Sequence, residues 1–337
     1  MLMVIFGAGA SYDSISSLDP VKNPLPGIRP PLAKDLFANV PEFRGFIDKY
    51  TQCRPIIAHL EPDASGRSVE EVLGELDFES KNDPTRKKQI LALRYYIRSV
   101  INSCEEAWFA QAGGVSNYET LFEDIRLRGS ALFVTFNYDT LLERALGKPF
   151  QRRTDYIDRT GFSVLKLHGS SDWLQIVQGV YFHRNRPAPD DRDIIESASS
   201  LTFGTIIPKK EVPILRANPD VDLDKDALFV PALAIPIARK SDFACPKEHL
   251  DYLKQRLPDV TKIVIIGWRA SEAHVIELLK RGLRSDVEIK AVCGDIKEAE
   301  SSLQNLRDAG IQGNFEALAG GFTEYVRSRK IKQFLDT

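Results

Sequence analysis

The 337-residue sequence predicts an α/β fold, a mainly parallel sheet with a helical insertion. Three observations lead there. From Ala131 onward, strand-like apolar runs alternate with helical patterns, as they do where strand–helix–strand units build a parallel sheet. Residues 261–266 (TKIVII) are β-branched and continuously apolar, which marks a strand covered on both faces. Between residues 31 and 127 the apolar positions instead recur every three or four residues. Ile90, Leu93, Ile97, Val100, Cys104 and Trp108 share one helical face there.

In chain order, residues 2–6 read as a buried strand, and residues 12–30, rich in Ser, Pro, Asp and Gly, read as a long loop. Residues 31–127 form the helical insertion. Ala131–Thr135 is strand-like, and Tyr138–Leu146 is helical with Gly147 at its end. Ser163–Leu167 is a strand. Residues 183–226, rich in Pro, Asp and Arg, are expected to be an irregular insertion, and Leu228–Ile237 is extended. After the 261–266 strand, Ser271 is placed to cap a helix running to Leu283. Val287–Cys293 is a strand, and Asp295 with Glu298 makes a capping box for a helix ending at Gly310. Residues 311–337 add one strand and one helix. The whole chain, 1–337, is expected to be a single domain.

Composition excludes several classes. Hydrophobic residues make up 43% of the chain, which argues against disorder. A formal charge of -2 provides no global field for nucleic acid. The basic residues Arg327, Arg329, Lys330 and Lys332 read as a solvated helix face rather than a nucleic-acid patch. Cys53, Cys104, Cys245 and Cys293 form no C-x-x-C pair, so neither a zinc ribbon nor a disulfide framework is expected, and a reducing cytoplasm fits. His59, His183, His249 and His274 have no partner at metal spacing and read as structural or surface residues; no metal is expected. The longest apolar run, Ala227–Ala238, is broken by Pro231 and Pro236 and falls short of the ~20 apolar residues that span a bilayer. No basic region precedes the first apolar run, so no signal peptide is read.

Polar or glycine-containing stretches follow the predicted strands. These are Gly7-Ala8-Gly9, Asn137-Tyr138-Asp139, His168-Gly169-Ser170, Gly267-Trp268-Arg269 and Gly294-Asp295. In an open, Rossmann-like parallel sheet, ligands bind beyond the carboxyl ends of the strands, so these stretches would converge on one crevice. Each also has a plain structural role. The two glycines suit a tight turn as well as a phosphate site. Asn137, Ser271 and Asp295 suit helix caps. His168 suits a satisfied, half-buried histidine, and Trp268 suits packing.

Taken together, "GAGAS" (7–11), "TFNYD" (135–139), "KLHGS" (166–170) and "IGWRASEAH" (266–274), with "RPPLAKDLF" (29–37), resemble the sirtuin-like family. The resemblance is nearest to the bacterial sirtuin-like NAD hydrolases of anti-phage defence systems. It covers most of residues 1–300. Two departures separate the chain from protein-deacylating sirtuins: their zinc module of two C-x-x-C pairs is absent, and so is their segment resembling G-I-P-D-F-R. In the late motif, Arg269 and Ala270 replace the usual residues.

The resemblance implies NAD as substrate and Asn137 and His168 as the catalytic pair. It also implies Gly7, Ala8, Gly9 and Ser11 against the pyrophosphate, with Asp139, Gly267, Ser271 and Asp295 around the nucleotide. The chemistry suits those residues. Nicotinamide leaves as a neutral group, so no general acid is needed. An Asn carbonyl orients water and its amine holds a ribose hydroxyl, while a neutral His accepts a proton near neutral pH. The implied reaction yields nicotinamide and ADP-ribose or a cyclic form. Alternatives are a sensor that binds NAD or ADP-ribose without cleaving it and, ranked last, an NAD-dependent deacylase. The family also implies homo-oligomers, or pairing with a nucleic-acid ATPase or Argonaute-like partner.

Overall fold

The computed structural model describes residues 1–60, 69–111, 116–147, 150–158, 161–178, 190–209, 228–235 and 243–336. Strand β1 (Leu2–Phe6) is followed at once by the short helix α1 (Ala8–Tyr12). A loop then leads into a helical region comprising α2 (Pro41–Lys49), α3 (Arg54–Leu60), α4 (Val69–Ser80), α5 (Pro84–Gln111) and α6 (Asn117–Arg126). Next come β2 (Ala131–Thr135), α7 (Leu141–Ala145), β3 (Phe162–Lys166), β4 (Gly169–Gln178), α8 (Asp191–Glu196), β5 (Thr202–Pro208) and β6 (Leu228–Leu233). The chain continues through α9 (Lys247–Arg256), β7 (Lys262–Ile266), α10 (Ala273–Gly282), β8 (Glu288–Val292), α11 (Ile296–Asp308), β9 (Asn314–Leu318), α12 (Gly321–Arg327) and α13 (Lys330–Asp336).

Six strands form one sheet in the order β3-β2-β1-β7-β8-β9, and each neighbouring pair is parallel. This is the α/β, Rossmann-like arrangement expected from the alternating pattern. The chain moves outward from β1 through β2 to β3, then returns to lay β7 on the other side of β1. The strand order therefore reverses between β1 and β7, which is where open parallel sheets form a crevice. The strands also end level: Phe6 is in register with Thr135 and Ile266, Thr135 with Lys166, and Ile266 with Val292. Hence the residues that follow each strand emerge along one edge.

β1 and β2 are buried at every position, as continuous apolar runs between two layers must be. They belong to a core that also takes in β7, β8 and residues of α6, α10, α11 and α12. A second apolar cluster lies around α5. It joins Leu93, Ile97 and Val100 to Ile194 and Ile195 of α8, Val177 of β4, Val230 of β6 and, from the β2 loop, Tyr138. The antiparallel sheet β5-β4-β6 bridges the two cores: Val177, Val230 and Leu233 enter the second, while Trp173 and Ala232 enter the first.

Several expectations need correction. Of residues 183–226, residues 190–209 are described and hold α8 and β5; His183 and the remainder lie outside the described residues. The same holds for the side chain of His59. The terminal region has two helices, because Arg329 takes φ 49° and divides them. Its basic face is not wholly solvated: Lys332 pairs with Asp124 at 2.9 Å, and Arg327 donates to the Ser16 carbonyl. The four cysteines are buried and unpaired. Among the described residues, no helix is long and apolar enough to cross a membrane, and no group of three or more His, Cys, Asp or Glu could hold a metal ion.

Candidate active site

The loops after β1 and β7 meet backbone to backbone. Gly7 N–H donates to the Ile266 carbonyl at 3.0 Å, and Gly9 N–H donates to the Gly267 carbonyl at 3.2 Å. A Cβ on Gly7 would lie 2.4 Å from the Gly267 oxygen. Gly267 has φ 62°, and a Cβ there would lie 2.6 Å from the Ala10 nitrogen. The glycines are thus required first for contact between two protein loops, and two N–H groups expected to face a ligand are engaged within the protein. Of the remaining loop residues, Ala8 opens α1 half-exposed.

Ser11 is buried, and its hydroxyl sits 2.9 Å from the Tyr118 hydroxyl and 2.9 Å from the Asn137 side-chain nitrogen. Asn137 follows β2. Its amine donates to the Gly7 carbonyl at 2.9 Å, to Ser11 Oγ, and more weakly to Tyr118 at 3.3 Å. Among the described residues, its Oδ1 accepts no hydrogen bond. Asn137 does not cap the following helix. Thr140 is the N-cap residue of α7, and Leu141 N–H instead reaches Asp139 Oδ1 at 3.2 Å.

The Asn137 and His168 loops are laced together. Ser171 N–H and Ser170 Oγ both donate to the Tyr138 carbonyl, at 2.8 and 3.3 Å. Lys166 Nζ donates to the Asp139 carbonyl, and the Tyr138 hydroxyl donates to the Ala234 carbonyl at 2.6 Å. Ala234 N–H in turn donates to the carbonyl of His168. The buried His168 ring lies 4.8 Å from Phe136, which stacks on Trp268 at 4.8 Å and 19°. An aromatic row therefore crosses the ends of β3, β2 and β7.

The structure thus brings together Gly7, Gly9, Ser11, Asn137 and Gly267, with Asp139 and His168 joined to them through the laced loops. Two expected site residues stand apart. Ser271 is exposed and donates to Glu272 Oε2 at 3.4 Å; Glu272 is the N-cap residue of α10, so Ser271 is not its cap. Glu272 also accepts from Trp268 Nε1 at 2.7 Å. Asp295 is exposed at the N-terminus of α11 and accepts from Lys297 N–H at 2.7 Å, without the reciprocal Glu298 contact of a capping box.

Buried polar residues that the sequence reading missed stand behind the site. Tyr118 enters from the N-terminal turn of α6, where Ser116 and Glu119 form a capping box. Glu105 of α5 accepts from Thr140 N–H at 2.8 Å and from its hydroxyl, and pairs with Arg144 at 2.9 Å. Burial, helped by the charge of Asp139, pushes the Glu105 carboxyl up to about 7. Glu143 and Lys166 pair at 2.8 Å. A lysine inside the apolar run "FSVLKLHG" was the one available signal for this pair.

No protein-family model and no curated protein matches the chain. Among solved structures, the chain is similar to Sir2 homologues. A triple mutant of one, in complex with 2'-O-acetyl-ADP-ribose, is 17% identical over 100% of this chain and 93% of that one, with a TM-score of 0.47. A Sir2 homologue in complex with NAD is 15% identical over 99% and 90%, with a TM-score of 0.44. A further mutant homologue, in complex with ADP-ribose, is 16% identical over 99% and 93%, with a TM-score of 0.42.

Proposed function

We propose that this chain binds NAD at the strand-order reversal between β1 and β7 and hydrolyses its nicotinamide–ribose bond, releasing nicotinamide and ADP-ribose or a cyclic form. The observation that carries the reading is the state of Asn137. Its amine is tied to Gly7 and Ser11, which leaves the carbonyl oxygen as an acceptor with no donor among the described residues. An acceptor held this way, at the mouth of a parallel sheet, suits a ribose hydroxyl or an attacking water. The amine is already engaged, so a role for it in holding ribose drops out of the mechanism.

Nicotinamide leaves neutral while positive charge develops on the sugar carbon. The site's work is to hold the ribose, favour that charge and deliver a nucleophile. The Asn137 carbonyl dipole serves the first two tasks. His168, on the neighbouring strand end, is assigned the proton from a ribose hydroxyl or water, a role typically worth ~100- to 10,000-fold. The Phe136–Trp268 stack places apolar surface beside the His168 ring.

The test is nicotinamide release from NAD by the purified protein, with Asn137→Ala and His168→Ala beside it. Release by wild type that both variants abolish supports the reading; release that neither reduces overturns the residue assignment. Saturable NAD binding without turnover under any activating condition would instead indicate a sensor. An NAD-depleting effector of anti-phage defence, held in check by a partner subunit or by self-assembly, belongs to the same proposal. Light scattering during size-exclusion chromatography tests it, and a monomer at every concentration counts against self-assembly.

A further inference from the structure

Lys166 is fully buried, at 0% exposure, on β3 two residues before His168. Its Nζ lies 2.8 Å from Glu143 Oε1 of α7 and also donates to the Asp139 carbonyl. Glu143 is itself buried. Its Oε1 accepts from the Tyr156 hydroxyl at 3.4 Å, which accepts from Trp173 Nε1 at 3.2 Å. Its Oε2 has no hydrogen-bond partner among the described residues.

A pair of this kind is a poor source of stability. Removing both charges from water is costly, and well-packed apolar replacements are often equally or more stable. Nor does the sheet need it, because β2 and β3 are already in register from Ala131 with Phe162 to Thr135 with Lys166. What the pair adds is a grip on the segment beyond β2. Lys166 holds the carbonyl of Asp139, two residues after Asn137, while Ser170 and Ser171 hold that of Tyr138. Residues on both sides of His168 therefore fasten the loop that carries Asn137.

We propose that Lys166 and Glu143 are positioning residues, a buried ion pair that locks the Asn137 loop to the strand bearing His168 and so sets the geometry between the two. The catalytic consequence rests on the NAD-cleaving reading above; the loop-locking does not.

The experiment is the paired variant Lys166→Met/Glu143→Leu, which removes both charges and leaves neither orphaned. Hydrogen exchange over residues 136–141 is measured alongside kcat and KM for nicotinamide release. We expect a folded protein with an unlowered denaturation midpoint and loop exchange at least about 10-fold faster, while β2 and β3 keep their protection. We expect kcat to fall about 10- to 100-fold with KM within about twofold, the signature of misplacement rather than lost binding. Unchanged loop exchange in the folded variant overturns the proposal, whatever the NAD result. Faster exchange in a protein whose wild type releases no nicotinamide upholds the locking role and counts against the NAD reading. If the paired variant does not fold, Lys166→Met alone removes the donor to the Asp139 carbonyl and leaves a Glu143 that burial favours in its neutral form, with faster loop exchange expected and unchanged exchange overturning the proposal.

Discussion

The side-chain amine of Asn137 donates to the carbonyl of Gly7 across 2.9 Å, joining residues 130 positions apart. A backbone carbonyl only accepts, so this contact determines which end of the amide faces inward. The oxygen is the end left without a donor among the described residues.

Asn137→Asp tests that orientation. A carboxylate cannot donate to Gly7, so two acceptors would face each other in a buried place. We expect a loss of about 1–3 kcal/mol in stability and nicotinamide release reduced at least about 100-fold. Urea denaturation and chromatographic nicotinamide assay measure the two effects. A variant as stable as wild type would contradict the contact.

Gly267→Ala tests the contact between the loops. The left-handed backbone costs an alanine about 1–2 kcal/mol, and displacing the Ala10 and Gly9 backbone adds to it, so we expect a loss above about 2 kcal/mol. Gly294, after β8, is the control: a Cβ there meets nothing within 4 Å, and Gly294→Ala should stay within about 0.5 kcal/mol of wild type. Equal midpoints for the two variants would refute the close approach.

Tyr118→Phe deletes one hydroxyl from the Ser11–Asn137 cluster. Asn137 keeps Gly7, so we expect a stability loss of about 1 kcal/mol and activity between that of wild type and Asn137→Ala. Burial pushes the Tyr118 hydroxyl well above its ordinary range, so the difference between wild type and Tyr118→Phe should be flat with pH. A slope between pH 6 and 9 would implicate another group.

Glu105 carries a pH dependence of defined sign. Its carboxyl is raised from 4.5 to about 7, so the folded state holds a proton that the unfolded state has released across that window. Stability conferred by the neutral acid is therefore present below about 4.5 and is lost as pH rises toward 7. Relative to Glu105→Gln, wild type should lose up to about 3 kcal/mol between those limits. Unfolding midpoints of both proteins from about pH 4 to 8 measure it, and a wild type that gains stability relative to Glu105→Gln as pH rises would reverse the assignment.

Much of this was legible along the chain. The apolar runs at 2–6, 131–135 and 261–266 became the adjacent strands β1, β2 and β7, because a strand buried on both faces leaves little room for polar positions to interrupt it. The spacing from Ile90 to Trp108 became one face of α5, and five of its six residues entered a core of their own with β4, β6 and α8, while Trp108 joined the core of the parallel sheet. Asp295 caps α11 as its sequence neighbourhood suggested.

Capping by Ser271 and Asn137 was not legible, since each side chain had a competing partner that no neighbour in sequence reveals: Glu272 for one, Gly7 and Ser11 for the other. The reasons for Gly7 and Gly267 likewise emerged only when β7 lay beside β1. Periodicity and cap chemistry act over a few residues, so the sequence carries them openly and with them the α/β class. Which loops meet, which carbonyl Lys166 grips and which end of Asn137 is tied to Gly7 depend on the order β3-β2-β1-β7. That order is settled by burying whole faces of the sheet at once, an energy summed over contacts far apart in the chain.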